Sequence, residues 1–245
     1  MKVILFAILA TFLATSSLSA QLTPIERTSQ IRTSDEFCDF SCREGDPPAV
    51  FSEETFETSG FEQFNEAIRF AGGSEEATQN SFFSSNSINV ETFSSTPDFF
   101  TEGVESRSAD SSFNVVFEVV NNSRFQLSGT LVESDFIEFA FGEEFGDRGV
   151  SAVSLEGVET DLLFESTIDG VTGGFDSITT PFDVSGLLEP GTYTLNVFST
   201  SQGDIDPGAT TSANVTLSVV AVPEPTHLAM LMGTATLLML RRKKK

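Results

Sequence analysis

The sequence predicts an all-β protein, an antiparallel and jelly-roll-like sandwich of two sheet layers. Three observations support this prediction. Hydrophobic and polar residues alternate in many short segments, which is typical of strands that bury one face and expose the other. Turn residues separate these segments at short intervals. Phenylalanine is abundant, with 25 residues, and there are only two cysteines, so buried aromatic surface rather than a set of disulfides is expected to stabilise the fold.

Residues 1–20 predict a secretory signal helix that is removed from the mature protein. Lys2 precedes an apolar run over 3–13, and small residues follow up to Ala20, which is the charged, apolar and small-residue order of a signal peptide. The apolar run is too short to favour an uncleaved anchor. The exported chain is therefore expected to begin at Gln21 and to face an oxidising compartment.

Residues 21–49 predict an irregular leader, because polar, charged and proline residues replace the alternating pattern there. Cys38 and Cys42 lie in this leader and are expected to form a local disulfide. The alternative is a reactive dithiol. The surrounding carboxylates disfavour it, because negative charge destabilises a thiolate.

Residues 50–221 predict the sandwich domain. Residues 113–119 alternate, 121–123 offer a turn, and 125–131 alternate again, which predicts a β-hairpin. Pro190 and Gly191 predict a tight turn into a strand on which Tyr193, the only tyrosine, faces inward. Further strands are expected at 51–56, 88–93, 136–141, 152–155, 161–168, 192–198 and 213–219.

Two segments of this domain predict other structures. Ser59 and Glu62 form a capping-box pattern, and Phe61, Phe64 and Ile68 have the spacing of one helix face, so a short helix is expected at 59–70. Residues 94–112 are expected to be rich in loops.

The residue types exclude several kinds of chemistry. The only histidine, His227, lies near the C-terminus, so the body has no histidine for a Ser-His-Asp or Cys-His mechanism or for a zinc site. No phosphate-binding or dinucleotide motif occurs. Two carboxylates could support glycoside hydrolysis, but the absence of tryptophan removes a usual sugar platform. The sequence predicts no enzyme, no catalytic residue, no cofactor and no metal site.

The charge of the chain is strongly negative. The formal net charge is −23, and no lysine occurs between Lys2 and the C-terminal basic cluster. Such a surface repels nucleic acid and anionic lipid, so nucleic-acid binding is excluded. The acidic segment Asp204 to Gly208 could bind Ca²⁺ through oxygen ligands, but it lacks a full ligand set, and a plain turn is expected.

Residues 222–245 predict a membrane tail. Pro223 and Pro225 lack amide hydrogens, so no helix or central strand can continue through them. Residues 228–240 carry no charge and would span about 20 Å as a helix. This is less than the roughly 30 Å hydrocarbon layer, although tilting, thinning and snorkelling make a span feasible. The alternative is a buried core helix. It is disfavoured because terminal cations hold a stop-transfer segment in place but give a core helix no advantage. The chain ends with five such cations, Arg241, Arg242, Lys243, Lys244 and Lys245.

The order of Pro223, Glu224 and Pro225, a short apolar helix and a basic terminus resembles the PEP-CTERM sorting signal of Gram-negative bacteria. The resemblance is confined to the tail. It implies that the tripeptide is recognised by exosortase, a membrane-embedded cysteine protease that processes its substrates near the motif during export. It also implies that 228–240 form the membrane helix and that 241–245 form a cytoplasmic basic anchor.

Two classes of function follow from these expectations. The first is an exported cell-surface or matrix protein that crosses the inner membrane, is held there transiently, and then has a structural or adhesive role in an extracellular polysaccharide. The second is a sandwich that binds a glycan or ice through an exposed sheet face. Regular rows of threonine or aromatic side chains would favour the second class.

Overall fold

The computed structural model describes residues 22–37, 49–69, 75–96, 104–134, 137–140, 143–146, 148–157, 162–169, 177–203 and 208–222. Within these residues every regular element is a strand, and every pair of neighbouring strands is antiparallel. The prediction of an all-β protein with two antiparallel sheets is confirmed. The expected signal helix and tail helix lie outside the described residues, and within those residues no helix has the length and apolar character of a membrane span.

Sheet A contains β1 (Leu22–Phe37), β2 (Ala49–Thr58), β6 (Val104–Val119), β10 (Arg148–Glu156), β11 (Leu162–Asp169) and β13 (Gly191–Gly203). Its order is β11-β10-β13-β6-β1-β2.

Sheet B contains β3 (Phe64–Arg69), β4 (Glu76–Phe83), β5 (Ser87–Ser95), β7 (Ser123–Ser134), β12 (Ser177–Leu188) and β14 (Thr210–Ala221). Its order is β12-β7-β14-β5-β4-β3. A separate hairpin joins β8 (Ile137–Ala140) and β9 (Glu143–Gly146).

The two sheets lie face to face, so the sandwich has two ends along the strand direction. We call one end the tail pole; the strand ends that define it are Leu22, Val119, Leu188 and Ala221. We call the other end the distal pole; the strand ends that define it are Phe37, Ser95, Ser134 and Gly203.

The half of the interior nearer the tail pole is hydrophobic. Phe113, Phe117, Leu127 and Leu217 are almost completely buried there. Tyr193 stacks on Phe117 with 5.8 Å between ring centroids, and its hydroxyl donates a 2.8 Å hydrogen bond to the carbonyl of Glu189. The predicted inward orientation of Tyr193 is confirmed.

The half of the interior nearer the distal pole contains many buried polar side chains beside a small hydrophobic cluster of Ile31, Ile68, Ala77 and Ala109. Ser151, Ser199 and Ser111 lie side by side on three neighbouring strands of sheet A and are buried. Ser199 shares a 2.7 Å hydrogen bond with Thr92 of sheet B, and the hydroxyl of Ser111 donates a 2.9 Å bond to the carbonyl of Thr78. A serine hydroxyl extends only a short way from its own backbone, so the two sheets approach closely here.

Arg27 is buried where these two halves meet the edge of the sandwich, with 1% of its surface exposed. Its guanidinium donates hydrogen bonds to the carbonyls of Gly60 and Glu62 at 2.8 and 2.6 Å and to the hydroxyls of Ser29 and Ser81. The rings of three phenylalanines lie 5.1 to 5.7 Å from its central carbon. Arg27 therefore fastens the 59–63 connection, which passes from sheet A to sheet B, onto the core.

The expectation of an irregular leader at 21–49 is wrong for residues 22–37. This segment is β1, an interior strand of sheet A between β6 and β2. Its inward residues include Arg27, Ser29 and Thr33. Inward and outward residues do alternate, but both sets are mostly polar, so the hydropathy of the sequence does not reveal the strand. Cys38 and Cys42 lie outside the described residues.

The predicted hairpin at 113–131 is also wrong, although both of its strands exist. β6 belongs to sheet A and β7 to sheet B, so the Val120–Asn122 connection carries the chain across the core. Both strands place an apolar face inward, including Phe113 and Leu127. These faces pack towards each other instead of lying side by side in one sheet.

The expected helix at 59–70 is replaced by a connection and β3. Phe64 and Ile68 are four residues apart, which fits one helix face but also one strand face. Both are buried as strand residues, while Phe61 is 40% exposed in the connection. The expectation of loops at 94–112 is wrong for 94–95, which end β5, and for 104–112, which belong to β6, while 97–103 lie outside the described residues. The other expected strands are confirmed, each within a somewhat different range.

Candidate functional site

The residues that the sequence singled out are mostly outside the described part of the chain. This holds for Cys38 and Cys42, for the motif of Pro223, Glu224 and Pro225, and for the basic anchor at 241–245. It also holds for 204–207 of the acidic turn. Among the residues that the structure describes, no group of three or more histidine, cysteine, aspartate or glutamate side chains could hold a metal ion.

The structure instead forms a shallow groove on the outer face of each sheet. Groove A, on sheet A, has a volume of about 410 Å³. It crosses β1, β6 and β13, and Phe198 lies in it with 38% of its surface exposed. Its outward-facing polar residues are Gln30, Arg32, Asp110, Ser112 and Thr200. The hydroxyl of Thr200 donates a hydrogen bond to a carboxylate oxygen of Asp110, which orients that carboxylate.

Groove B, on sheet B, has a volume of about 430 Å³ and crosses β3, β4, β5 and β14. Strand register places four residues side by side along it, and these are Ala67, Thr78, Phe93 and Ser212. Three of these side chains are small, so the ring of Phe93 stands among short neighbours. The groove follows from this difference in side-chain size.

The next outward row of sheet B forms a polar wall beside groove B. It consists of Asn65, Asn80, Glu91 and Asn214, again placed side by side by register. Asn214 donates a 3.2 Å hydrogen bond to one carboxylate oxygen of Glu91, and Asn80 lies 3.5 Å from the other. The Glu91 carboxylate is thereby held between two amides, so amide and carboxylate groups lie side by side on the outer face of the sheet.

Both grooves therefore combine one phenylalanine ring with several planar polar side chains. A flat apolar face together with a few placed hydrogen-bonding groups is a common arrangement for binding a small or chain-like ligand. Among the described residues, neither groove contains a group of side chains that could hold a metal ion.

Sequence reasoning missed both grooves. Phe93 and Ser212 are neighbours only because β5 pairs with β14, and Arg32 and Asp110 only because β1 pairs with β6. The alternation within each strand indicates which residues face outward. It does not indicate which outward residues become neighbours.

A charged pair marks the edge of sheet A near the distal pole. Arg148 binds Asp169 through two parallel hydrogen bonds of 2.8 and 2.5 Å. The hydrogen bond from Arg148 lowers the pKa of the Asp169 carboxyl below its usual value. Both side chains are exposed, so this pair contributes little to stability and instead places charge on the β10–β11 edge.

The comparisons with known proteins give only distant similarities. No protein-family model matches the chain, and no curated protein matches it. Among solved structures, the chain is similar to tailspike protein 4 of bacteriophage CBA120 at 12% identity over 56% of this chain and 20% of that one, with a TM-score of 0.21. It is also similar to the VP2 subviral particle of infectious bursal disease virus at 9% identity over 84% and 58% of the two chains, with a TM-score of 0.26.

A third similarity is to the isomalto-dextranase of Arthrobacter globiformis, at 11% identity over 82% of this chain and 30% of that one, with a TM-score of 0.20. The chain thus spans about a fifth of the tailspike and about a third of the dextranase. Similarity at this level carries no argument about function.

Proposed function

We propose that this protein is an exported cell-surface or matrix protein that is sorted and processed through its C-terminal signal and has a structural or adhesive role in an extracellular polysaccharide. The observation that carries the proposal is the tail itself, with Pro223 to Pro225, the apolar run at 228–240 and the cations at 241–245 in that order. In this proposal the run is a membrane helix and the cations stay in the cytoplasm.

The position of the last strand supports this proposal. β14 ends at Ala221, immediately before Val222 and the motif. Its inward residues Ala213, Val215, Leu217 and Val219 are buried in the core. The body therefore has its closing strand in place without any residue of the motif, so a protease could remove the tail without removing a strand.

The sorting proposal is tested by replacing the motif in the native host. The variant Pro223→Ala/Pro225→Ala is expected to keep its basic terminus and to accumulate in the membrane fraction. The matched control is Thr226→Ala, which changes a neighbouring residue outside the tripeptide and is expected to be processed normally. C-terminal peptide mass spectrometry measures both. Normal processing of the double variant would contradict a role for the motif.

Glycan binding is the second candidate function, and grooves A and B favour it. Each has an aromatic ring beside amide, hydroxyl and carboxylate groups, and these can satisfy the hydroxyls and the flat face of a sugar. The net charge of −23 favours a neutral glycan over an anionic one. The row along groove B is mixed, which favours a glycan over ice, since a regular ice lattice calls for a regular row.

This candidate is tested by binding to neutral and anionic polysaccharides with and without Ca²⁺. Phe93→Ala and Phe198→Ala are each expected to weaken binding to the neutral polymer by about fivefold to tenfold, which corresponds to about 1 kcal/mol for one ring contact. Phe82→Ala is the matched control, because Phe82 is a 49% exposed phenylalanine on sheet B that does not line groove B. No binding by the unaltered protein, or equal loss in all three variants, would exclude the grooves as glycan sites and leave a purely structural role.

A further inference from the structure

The described chain begins and ends at the same pole of the sandwich. The amide of Leu22 donates a 3.0 Å hydrogen bond to the carbonyl of Ser85, and the amide of Val222 donates a 2.8 Å bond to the carbonyl of Asn122. Leu22 is also the register partner of Val119, at the end of β6. The predicted signal and the predicted tail therefore both join the body at the tail pole.

The tail pole carries exposed hydrophobic side chains. Val120, Leu187 and Val220 are 52%, 67% and 61% exposed. Leu187 and Val220 lie in one outward row of sheet B with the exposed Arg124 between them, and Val120 begins the adjoining connection. Single exposed hydrophobic residues are ordinary, but their grouping at one end indicates a contact surface.

Charge is distributed unequally between the two poles. At the tail pole, the connections at 84–86 and 120–122 contain no acidic residue, whereas the β12–β13 turn contains Glu189 and the β10–β11 connection contains Glu159 and Asp161. At the distal pole, strands lead into 38–48, 135–147 and 204–207, all rich in aspartate and glutamate. Anionic phospholipid repels acidic segments of this kind, so the contact is expected at the outward row where Arg124 lies between Leu187 and Val220.

The length of the chain beyond the body limits its distance from the membrane. Five residues separate Val222 from Leu228, the start of the apolar run. Even when fully extended, the six steps from Val222 to Leu228 reach only about 20 Å. While residues 228–240 are in the bilayer, the tail pole must stay close to the lipid headgroups.

We propose that the tail pole is a phospholipid-contact surface. Val120, Leu187 and Val220 rest on the interfacial region of the bilayer, Arg124 binds headgroup phosphate, and the acidic distal pole points away from the membrane. This orientation puts the outward row of Leu187, Arg124 and Val220 at the membrane end of sheet B and keeps both grooves farther from the membrane. The inference rests on the membrane anchoring in the proposed function, and adds that the body itself contacts lipid.

The chain contains no tryptophan, so single tryptophan reporters give an unambiguous test. The full-length protein is reconstituted into vesicles of zwitterionic and anionic phospholipid with brominated acyl chains, which quench tryptophan near the lipid. Val120→Trp reports the tail pole, Gln202→Trp reports the distal end of β13, and Leu237→Trp reports insertion of the tail. We expect strong quenching of the tail reporter, intermediate quenching at 120 and none at 202.

A second set of variants separates contact from mere proximity. Leu187→Ser/Val220→Ser is expected to remove most of the quenching at 120 and to leave that at 237 unchanged, and Ser185→Ala/Ser218→Ala is the control on the next outward row. Equal quenching at 120 and 202, with the tail reporter still quenched, would overturn the lipid-contact surface while leaving the anchor intact. An unquenched tail reporter would overturn the anchor itself, and the lipid-contact surface with it.

Discussion

Replacing Arg27 tests how the two sheets are fastened together. Its guanidinium is buried among three phenylalanine rings and donates to two carbonyls and two hydroxyls. Within the described residues all these acceptors are neutral. Burial lowers the pKa of Arg27 to about 10, so the side chain is still charged at neutral pH.

Two opposing effects determine the magnitude. Arg27→Ala leaves a cavity and removes the hydrogen bonds to two carbonyls, and losses of this kind cost about 2 to 5 kcal/mol. Burying the charge has its own cost, because burial disfavours the charged guanidinium and lowers its pKa to about 10. Arg27→Met removes that cost and retains most of the packing, so we expect it to lose only about 1 to 2 kcal/mol.

The assay is urea unfolding at pH 7 with far-ultraviolet circular dichroism. Arg124→Ala is the matched control, because Arg124 is exposed on sheet B, and we expect it to change stability by less than about 0.5 kcal/mol. The expected order of loss is Arg27→Ala, then Arg27→Met, then Arg124→Ala. If Arg27→Ala were as stable as Arg124→Ala, or if Arg27→Met lost as much as Arg27→Ala, the explanation of Arg27 would be wrong.

Three further predictions concern packing and ionisation. Ser199→Val is expected to lose about 1 to 3 kcal/mol in urea unfolding, because the sheets are too close at this point for a larger side chain; a gain in stability would contradict that spacing. Gly129→Ala is expected to lose more stability than Gly186→Ala. A Cβ at 129 would collide with the backbone carbonyl oxygen of Asn214, whereas a Cβ at 186 would meet the ring of Phe125 at 2.6 Å, and a side-chain ring can move. A larger loss for Gly186→Ala would be inconsistent with this strand register. Burial raises the pKa of Tyr193 above its usual value of 10, so the folded state keeps its proton while the unfolded state loses it, and stability falls as pH rises above 10. Phenolate absorbance follows this single tyrosine, and ionisation below pH 10 in the folded protein would contradict its burial.

Apolar inward residues made several strands visible to sequence analysis. The segment at 213–219 is an example, with an unbroken inward series of alanine, valine and leucine. However, β12 was missed despite the apolar side chains of Ile178, Phe182 and Val184 against the core. β1 and β4 were missed because their inward positions include Arg27, Ser29, Gln79 and Ser81. Where inward residues are polar, as they often are near the distal pole, they do not differ in hydropathy from outward residues. Strand prediction from alternating hydropathy depends on that difference.

The assignment of strands to sheets is a second limit. Alternation at 113–119 and 125–131 correctly predicts two strands. The same alternation is expected whether the two strands pair in one sheet or face each other across the core, so it cannot distinguish these arrangements. Only the remaining pairings of β6, with β1 and β13, determine its sheet. The grooves have the same origin, since their neighbouring side chains come from segments far apart in sequence.

The most direct test of the central claim is mass spectrometry of both termini of the protein recovered from the surface or surrounding matrix of its native host. The expected chain begins at or near Gln21 and ends near Pro223 to Pro225, without the basic terminus. Surface protein that still carries Arg241 to Lys245 would contradict processing through the tail, and protein found only in the cytoplasm with both termini intact would contradict export.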